Sequence, residues 1–304
     1  MKKSFYQKLR CGEPVRILIN GDSISEFSGP GEWPTLLCEA LCARYGSSVN
    51  FDNVSMGGNA SYAGWARALY QKDVRYDLMI NGYGQNDAED GFSEAYESII
   101  RAAAKTWPDC CQLSILESAQ RGYSNKIQDI QALAAHYGIP TADTIAPFLP
   151  VYDTLTDDGC HPNAKGKRIY ASVIADLISS LADADTGLTS YDKEPLNPGV
   201  KALESMTFIP ARLCARDGNA FTAAIEAGGR LGIDYYFHTG ENSLGVTLGG
   251  REIARRDFTW TYNFSQRHIL SLGADAAPGE IRVEFKDKQQ ADGFFGLIVS
   301  READ

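Results

Sequence analysis

Between residue 15 and about residue 182, short apolar runs alternate with longer stretches in which apolar residues recur every three or four positions. The runs VRILING (15–21), VNFDNVS (49–55), YDLMINGYG (76–84), CQLSILES (111–118) and GIPTADT (138–144) have the length and character of five buried strands. Between them, Trp33, Leu36, Leu37, Ala40 and Leu41 fall on one helical face, as do Phe92, Tyr96, Ile99, Ile100 and Ala103. After them, Ile169, Val173, Ile174, Leu177, Ile178 and Leu181 form the stripe of a closing helix. Strands alternating with helices predict an α/β domain with a parallel sheet covered on both faces.

Near residue 183 this pattern stops. LADADTGLTSYDKEPLNPGV (181–200) is polar, broken by glycine and proline, and aperiodic. The expected division is a domain over 1–184, a linker over 185–200 and a second domain over 201–304. In that last part SMTFIPARL, FTAAIEAG, IDYYFHTG, SLGVTLGG, RHILSLG, EIRVEFKD and GFFGLIVSRE are short, often alternating, and separated by glycine or charged turns. About seven such strands predict an antiparallel β-sandwich. Its aromatic residues fall in two clusters, Tyr235, Tyr236 and Phe237, then Trp260, Tyr262 and Phe264. Alternation along a strand should turn some of them outwards.

Ligands of an open parallel sheet bind beyond the carboxyl ends of its strands. Four polar clusters fall there: GDSIS after the first strand, SMGGNAS after the second, GYGQND after the third and TDDGCHPN after the fifth. A serine hydroxyl is a weak nucleophile that needs a base, usually histidine, oriented by a carboxylate. Ser23 ends the first strand, and Asp158 precedes His161 by three positions, close enough for one turn to aim the carboxylate at a ring nitrogen. The N–H of Ser23, the N–H of a glycine in SMGGNAS and the amide of Asn86 could act as donors to a developing oxyanion. Taken singly, each cluster has a plainer reading. GDS is a common turn, Gly57 and Gly58 suit positive φ, Asn86 and Asp87 suit an Asx turn or a cap, and Asp158 with Pro162 suits a helix start. Their order along one half of the chain favours acyl transfer.

The chain has 304 residues and a net charge of −10, with no run of lysine or arginine that could track phosphates. Nucleic acid is therefore not an expected partner. No apolar stretch has signal-peptide or membrane-span length, so a cytoplasmic protein that does not enter membranes is expected. Seven cysteines without paired spacing point to reduced thiols, and no metal-ligand cluster is visible, so no cofactor is expected.

The blocks GDSIS, NVSMGGNAS, GYGQND and DGCHPN, in that order, resemble the SGNH hydrolases, the GDSL esterase and lipase family, over residues 15 to about 180. The resemblance implies a three-layer α/β/α fold with a flavodoxin-like sheet. It implies Ser23 as nucleophile, His161 as base and Asp158, rather than the adjacent Asp157, as the orienting acid. Gly58, five residues after Asn53, matches the family glycine and Asn86 the family asparagine, although Gly57 remains open as the glycine of the oxyanion hole. Isoleucine stands where the family often has leucine in the first block, a conservative difference. The second domain lies outside the resemblance.

Such enzymes act on lipid, sugar and thioester substrates, so fold alone does not select one. Trp33, Tyr62, Trp65 and Tyr83 lie near the catalytic blocks in sequence and suit sugar rings, although Trp33 and Trp65 also fit core stripes. The expectation is a serine esterase removing a short acyl group, acetyl above all, from a carbohydrate, with a small-molecule or oligosaccharide ester as substrate. The alternatives are a lysophospholipase or thioesterase for longer chains, and a glycan-binding protein with a vestigial hydrolase domain. A homo-oligomer remains open.

Overall fold

The computed structural model describes residues 2–302, which fold as two units, one reaching to Asn197 and the other beginning at Pro198. In the first, β1 (Val15–Gly21), β2 (Val49–Asn53), β3 (Leu78–Gly82), β4 (Cys111–Leu116) and β5 (Thr141–Asp143) form one parallel sheet in the order β2-β1-β3-β4-β5. This is the flavodoxin-like order. Every residue of β3 and β4 is buried, as expected of strands covered on both faces.

Side chains alternate across the sheet. Ile17, Ile19, Leu78, Ile80, Leu113 and Ile115 share a core with α1 (Phe5–Arg10), α2 (Trp33–Tyr45) and α7 (Ala164–Asp183) through Phe5, Leu9, Trp33, Leu37, Tyr170 and Ile174. The other layer holds α3 (Ser61–Tyr70), α4 (Phe92–Thr106) and α5 (Asn125–Tyr137), with α4 packed against both neighbours. Here Gly64 permits a close approach, because a Cβ on it would lie 2.5 Å from the ring of Tyr83. The buried amide of Asn20 in β1 joins the two, donating to Gly64 O at 3.0 Å and accepting from Tyr83 Oη at 2.9 Å.

The polar stretch 185–200 is not free chain up to Asn197. Tyr191 is buried and its hydroxyl accepts from the N–H of Gln112 at 2.9 Å. The buried carboxylate of Glu97 accepts from the N–H groups of Leu196 and Asn197 at 2.7 and 2.8 Å. At its start, Thr186 O accepts from the Ser4 hydroxyl and Asp185 pairs with Arg10 at 2.7 Å.

The second unit consists of two antiparallel sheets. One has the order β11-β10-β13-β8-β7 and the other β12-β9-β14-β6. Their ranges are β6 Ser205–Pro210, β7 Ala215–Asp217, β8 Ala220–Ile225, β9 Gly229–Phe237, β10 Gly240–Leu248, β11 Arg251–Trp260, β12 Gln266–Ala276, β13 Gly279–Phe285 and β14 Phe294–Arg301. Phe221, Val246, Ile281, Val283 and Phe285 from one sheet share a core with Leu231, Ile233, Tyr235, Leu272, Leu297 and Val299 from the other, which makes the unit a sandwich. Among the described residues nine strands are present where the periodicity shows seven. The two extra ones, β7 and β11, are the edges of the five-stranded sheet. They are short or heavily charged and largely exposed, so they carry no apolar alternation. Of the aromatic clusters, Tyr235 is buried, while Tyr262 and Phe264 stand exposed beside Trp260.

Candidate active site

The first strand ends where two glycines meet. A Cβ on Gly21 would lie 2.8 Å from Gly82 O, so bare backbone lets the tips of β1 and β3 close on each other. Asp22 N donates to that same Gly82 carbonyl at 3.2 Å, and the chain then leaves the sheet. The buried Asp22 carboxylate accepts from Ile24 N at 3.0 Å, which folds GDSI into a tight turn. From the end of β2, Asn53 Nδ2 donates to Ser25 O at 2.6 Å. Ser23 stands half-buried at the apex of this turn.

DGCHPN forms a second turn just before α7. A bridge pairs Thr156 with Pro162, and Asn163, whose side chain caps α7, donates its own N–H to Leu155 O at 2.8 Å. Inside this turn Asp158 Oδ1 accepts from the N–H groups of Cys160 and His161 at 2.9 and 2.7 Å. Its Oδ2 lies 2.6 Å from His161 Nδ1, and His161 Nε2 lies 2.9 Å from Ser23 Oγ. Partial burial opposes ionisation of Asp158, but the His161 backbone N–H, the His161 ring and the Cys160 N–H together lower its pKa to about 2. The ring therefore faces a carboxylate throughout the neutral range. Asp157 joins the turn through its backbone, donating its N–H to His161 O at 3.2 Å. The intervening thiol of Cys160 is pushed up to about 11, first by burial and then by the charge of Asp158, so it is no rival nucleophile.

The other two clusters converge on the same rim. Asn86 Nδ2 lies 3.3 Å from Asp22 Oδ2 and 3.2 Å from Asn59 O, linking the turn after β1 with the glycine pair after β2. Of that pair, Gly58 is exposed at φ 67°, whereas Gly57 is buried. Neither Ser23 N nor Gly58 N donates to a protein acceptor among the described residues. Asp87 serves the scaffold, accepting from Ser61 N at the start of α3 at 2.9 Å.

Residues 19–169 match the family model described as GDSL-like Lipase/Acylhydrolase. That part of the chain belongs to this family. The GDSL-like domain is a carboxylic ester hydrolase. Two solved structures resemble the chain along nearly its whole length. One is a two-domain esterase (CEX) active on acetylated mannans, co-crystallized with mannopentaose, at 17% identity and a TM-score of 0.78, covering 100% of this chain and 96% of that one. The other, of a two-domain esterase of the same description without the mannopentaose, is 18% identical with a TM-score of 0.76, covering 99% and 97%. No curated protein matches.

The aromatic residues near the blocks do not form a sugar platform. Trp33, Tyr62, Trp65 and Tyr83 are all buried, Trp65 and Tyr83 completely. They lie on the helix faces and the strand end that make the core of the GDSL-like domain, so their closeness in sequence to the site does not bring them to its surface.

Two features of the domain reach beyond the four polar clusters, through Glu117 and Arg121. Three carboxyl groups near the nucleophile are raised above their ordinary values, Asp22 and Glu117 fully buried and Asp87 half-buried. Asp22 is raised to about 7, first by burial and then by the charge of Asp87, against the Ile24 N–H and His161. Asp87 is raised mainly by burial, and Glu117 well above its ordinary value by burial and by the charges of Asp22 and Asp87. Glu117 lies against the tip of β3, where a Cβ on Gly82 would come within 2.9 Å of its Oε1. The second feature is the loop after β4, which reaches the rim through Arg121. Its guanidinium donates to the carbonyl of Gly159 in the DGCH turn, at 3.1 Å from Nε and 2.5 Å from Nη2. Among the described residues no group of three or more His, Cys, Asp or Glu could hold a metal ion, and no helix is long and apolar enough to cross a membrane.

Proposed function

We propose that the GDSL-like domain removes short acyl groups, acetyl above all, from esters of carbohydrates, with Ser23 as nucleophile, His161 as base and Asp158 as its orienting acid. The observation that carries this reading is the unbroken chain of contacts from Asp158 Oδ2 through the imidazole to Ser23 Oγ. Ser23 Oγ attacks the ester carbonyl while His161 Nε2 takes its proton. The oxyanion then accepts from Ser23 N, Gly58 N and Asn86 Nδ2. On collapse, His161 returns the proton to the leaving sugar oxygen, and a water activated by the same ring releases the acid from the acyl-serine.

The surroundings of Ser23 favour a large alcohol. The side chains of His161 and Asp158 are 46% and 54% exposed, which leaves room above the rim for a bulky leaving group. The carbohydrate is supported by likeness in both units to the esterase active on acetylated mannans. Turnover of nitrophenyl acetate, butyrate and octanoate tests the acyl preference, and acetate release from an acetylated mannan tests the alcohol. Acetate should be the best of the three; faster hydrolysis of octanoate would favour a lysophospholipase or thioesterase.

A further inference from the structure

We propose that Arg121 is a positioning residue for the acid and base of the site, acting through the Gly159–Cys160 peptide; this rests on the assignment of Asp158 and His161 made above. Arg121 lies in the loop after β4 with φ 56°, one of two non-glycine residues at positive φ among those described. That conformation is unfavourable for a residue with a Cβ and has to be held by contacts. Three hold it. Its N–H closes the preceding helical turn onto Ser118 O at 2.8 Å, its Nε and Nη2 converge on Gly159 O, and its guanidinium centre lies 5.0 Å from the ring centroid of Tyr152. Tyr152 Oη reaches the same carbonyl at 3.4 Å.

The carbonyl that receives these donors belongs to the planar unit whose N–H is that of Cys160. In a trans peptide the C=O and N–H point in opposite directions, so fixing one fixes the other. On the far side of this peptide, Cys160 N–H donates to Asp158 Oδ1 at 2.9 Å, while Oδ2 of the same carboxylate holds His161 Nδ1. Arg121 therefore sets the direction of a donor that sets the direction of the catalytic carboxylate. Its positive charge also polarises the peptide and strengthens that N–H as a donor. Gly159 completes the fit, since its φ is 74° and a Cβ on it would lie 2.5 Å from Arg121 Nη2. No proton is transferred to or from Arg121 in this role.

The test uses the full chain with nitrophenyl acetate, and kcat is expressed per active site counted from the burst of nitrophenol. Arg121→Ala should lower kcat by about tenfold to a hundredfold, the scale of a small misplacement of catalytic groups, with KM changed less than about twofold. Arg121→Lys, which keeps the charge but not the paired donors, should recover part of the loss, as should millimolar guanidinium added to the alanine variant. Gly159→Ala should lower kcat in the parent and cost clearly less in the Arg121→Ala background, since the clashing Nη2 is gone. An unchanged kcat in Arg121→Ala, or a change confined to KM, overturns the proposal. If Arg121→Ala does not fold, additive losses in Arg121→Lys, Gly159→Ala and their double variant overturn it instead. Ser23→Ala measured in parallel separates the two readings: activity retained there removes the triad assignment itself, whereas its loss beside an unaffected Arg121→Ala removes only the role of Arg121.

Discussion

The side-chain nitrogen of Asn86 lies 3.3 Å from the carboxylate of Asp22, the residue immediately before Ser23. Together with its 3.2 Å contact to Asn59 O, this holds the amide where the turns after β1 and β2 meet. Both contacts are long, so an oxyanion formed beside Ser23 can compete for the same hydrogens. Asn86→Ala should lower kcat by about a hundredfold or more, the cost typical of one oxyanion donor, with KM little changed. Steady-state kinetics on nitrophenyl acetate check this, and a purely raised KM would make Asn86 a ground-state contact.

Acidification should abolish activity through the base, because protonated imidazole cannot accept the serine proton. With its pKa lowered to about 2, Asp158 stays ionised at mildly acid pH and adds no step of its own to the profile there. A profile of kcat/KM that stays flat from about pH 5 to 9 would contradict His161 as base. Asp158→Asn should reduce kcat by roughly a thousandfold or more, because the ring loses the acceptor that selects its tautomer.

The buried acids make the opposite demand on pH from that of Asp158. Asp22 titrates at about 7 in the folded chain, above the ordinary carboxyl value of 3.8. Between about pH 4 and 7 the unfolded chain has released this proton while the folded chain retains it, so stability falls as pH rises through that window. Asp158 works the other way, its stabilisation being lost only as pH falls from about 4 towards 2. Glu117 is raised in the same sense as Asp22, and neither of its oxygens has a hydrogen-bond partner among the described residues. Glu117→Gln should therefore raise the Tm at pH 8 relative to the parent and flatten the decline from pH 5 to 8. Thermal unfolding at several pH values would detect an unchanged slope, which would contradict this account.

Gly64→Ala should destabilise the first unit by about 1–3 kcal/mol, as overpacking of a filled core does. The added methyl would meet Tyr83 at 2.5 Å and strain its hydrogen bond to Asn20. Chemical denaturation should show a lower midpoint without a changed slope.

The meeting of Ser23, Asp158 and His161 is legible in the sequence because strand ends share a rim, and because three-residue spacing in DGCH leaves one short turn to bring carboxylate and ring together. The five parallel strands are legible because burial on both faces demands continuous apolar runs. Arg121 is not legible, since SAQRGYSN contains no acid and base pair and its role depends on a backbone conformation that periodicity does not encode. Nor is the burial of Trp33, Tyr62, Trp65 and Tyr83, because nearness in sequence to a rim does not say which face of a helix turns inward. The edge strands β7 and β11 escape for the reverse reason: exposed on much of their surface, they have little apolar pattern to read.

The hydrogen bond from Ser4 to Thr186 joins positions 182 residues apart. During synthesis the helix Phe5–Arg10 emerges well before its partners, the Thr186 carbonyl and the Asp185 carboxylate, which leave the ribosome only after nearly the whole unit has been made. At about 5–20 residues per second that interval is on the order of ten to forty seconds. Phe5, Tyr6 and Leu9, all buried in the finished fold, lack this closure throughout that time. A helix translated well ahead of its partners is thus among the last parts of this unit to be secured, and a chaperone that shields apolar surface on nascent chains would find its target there.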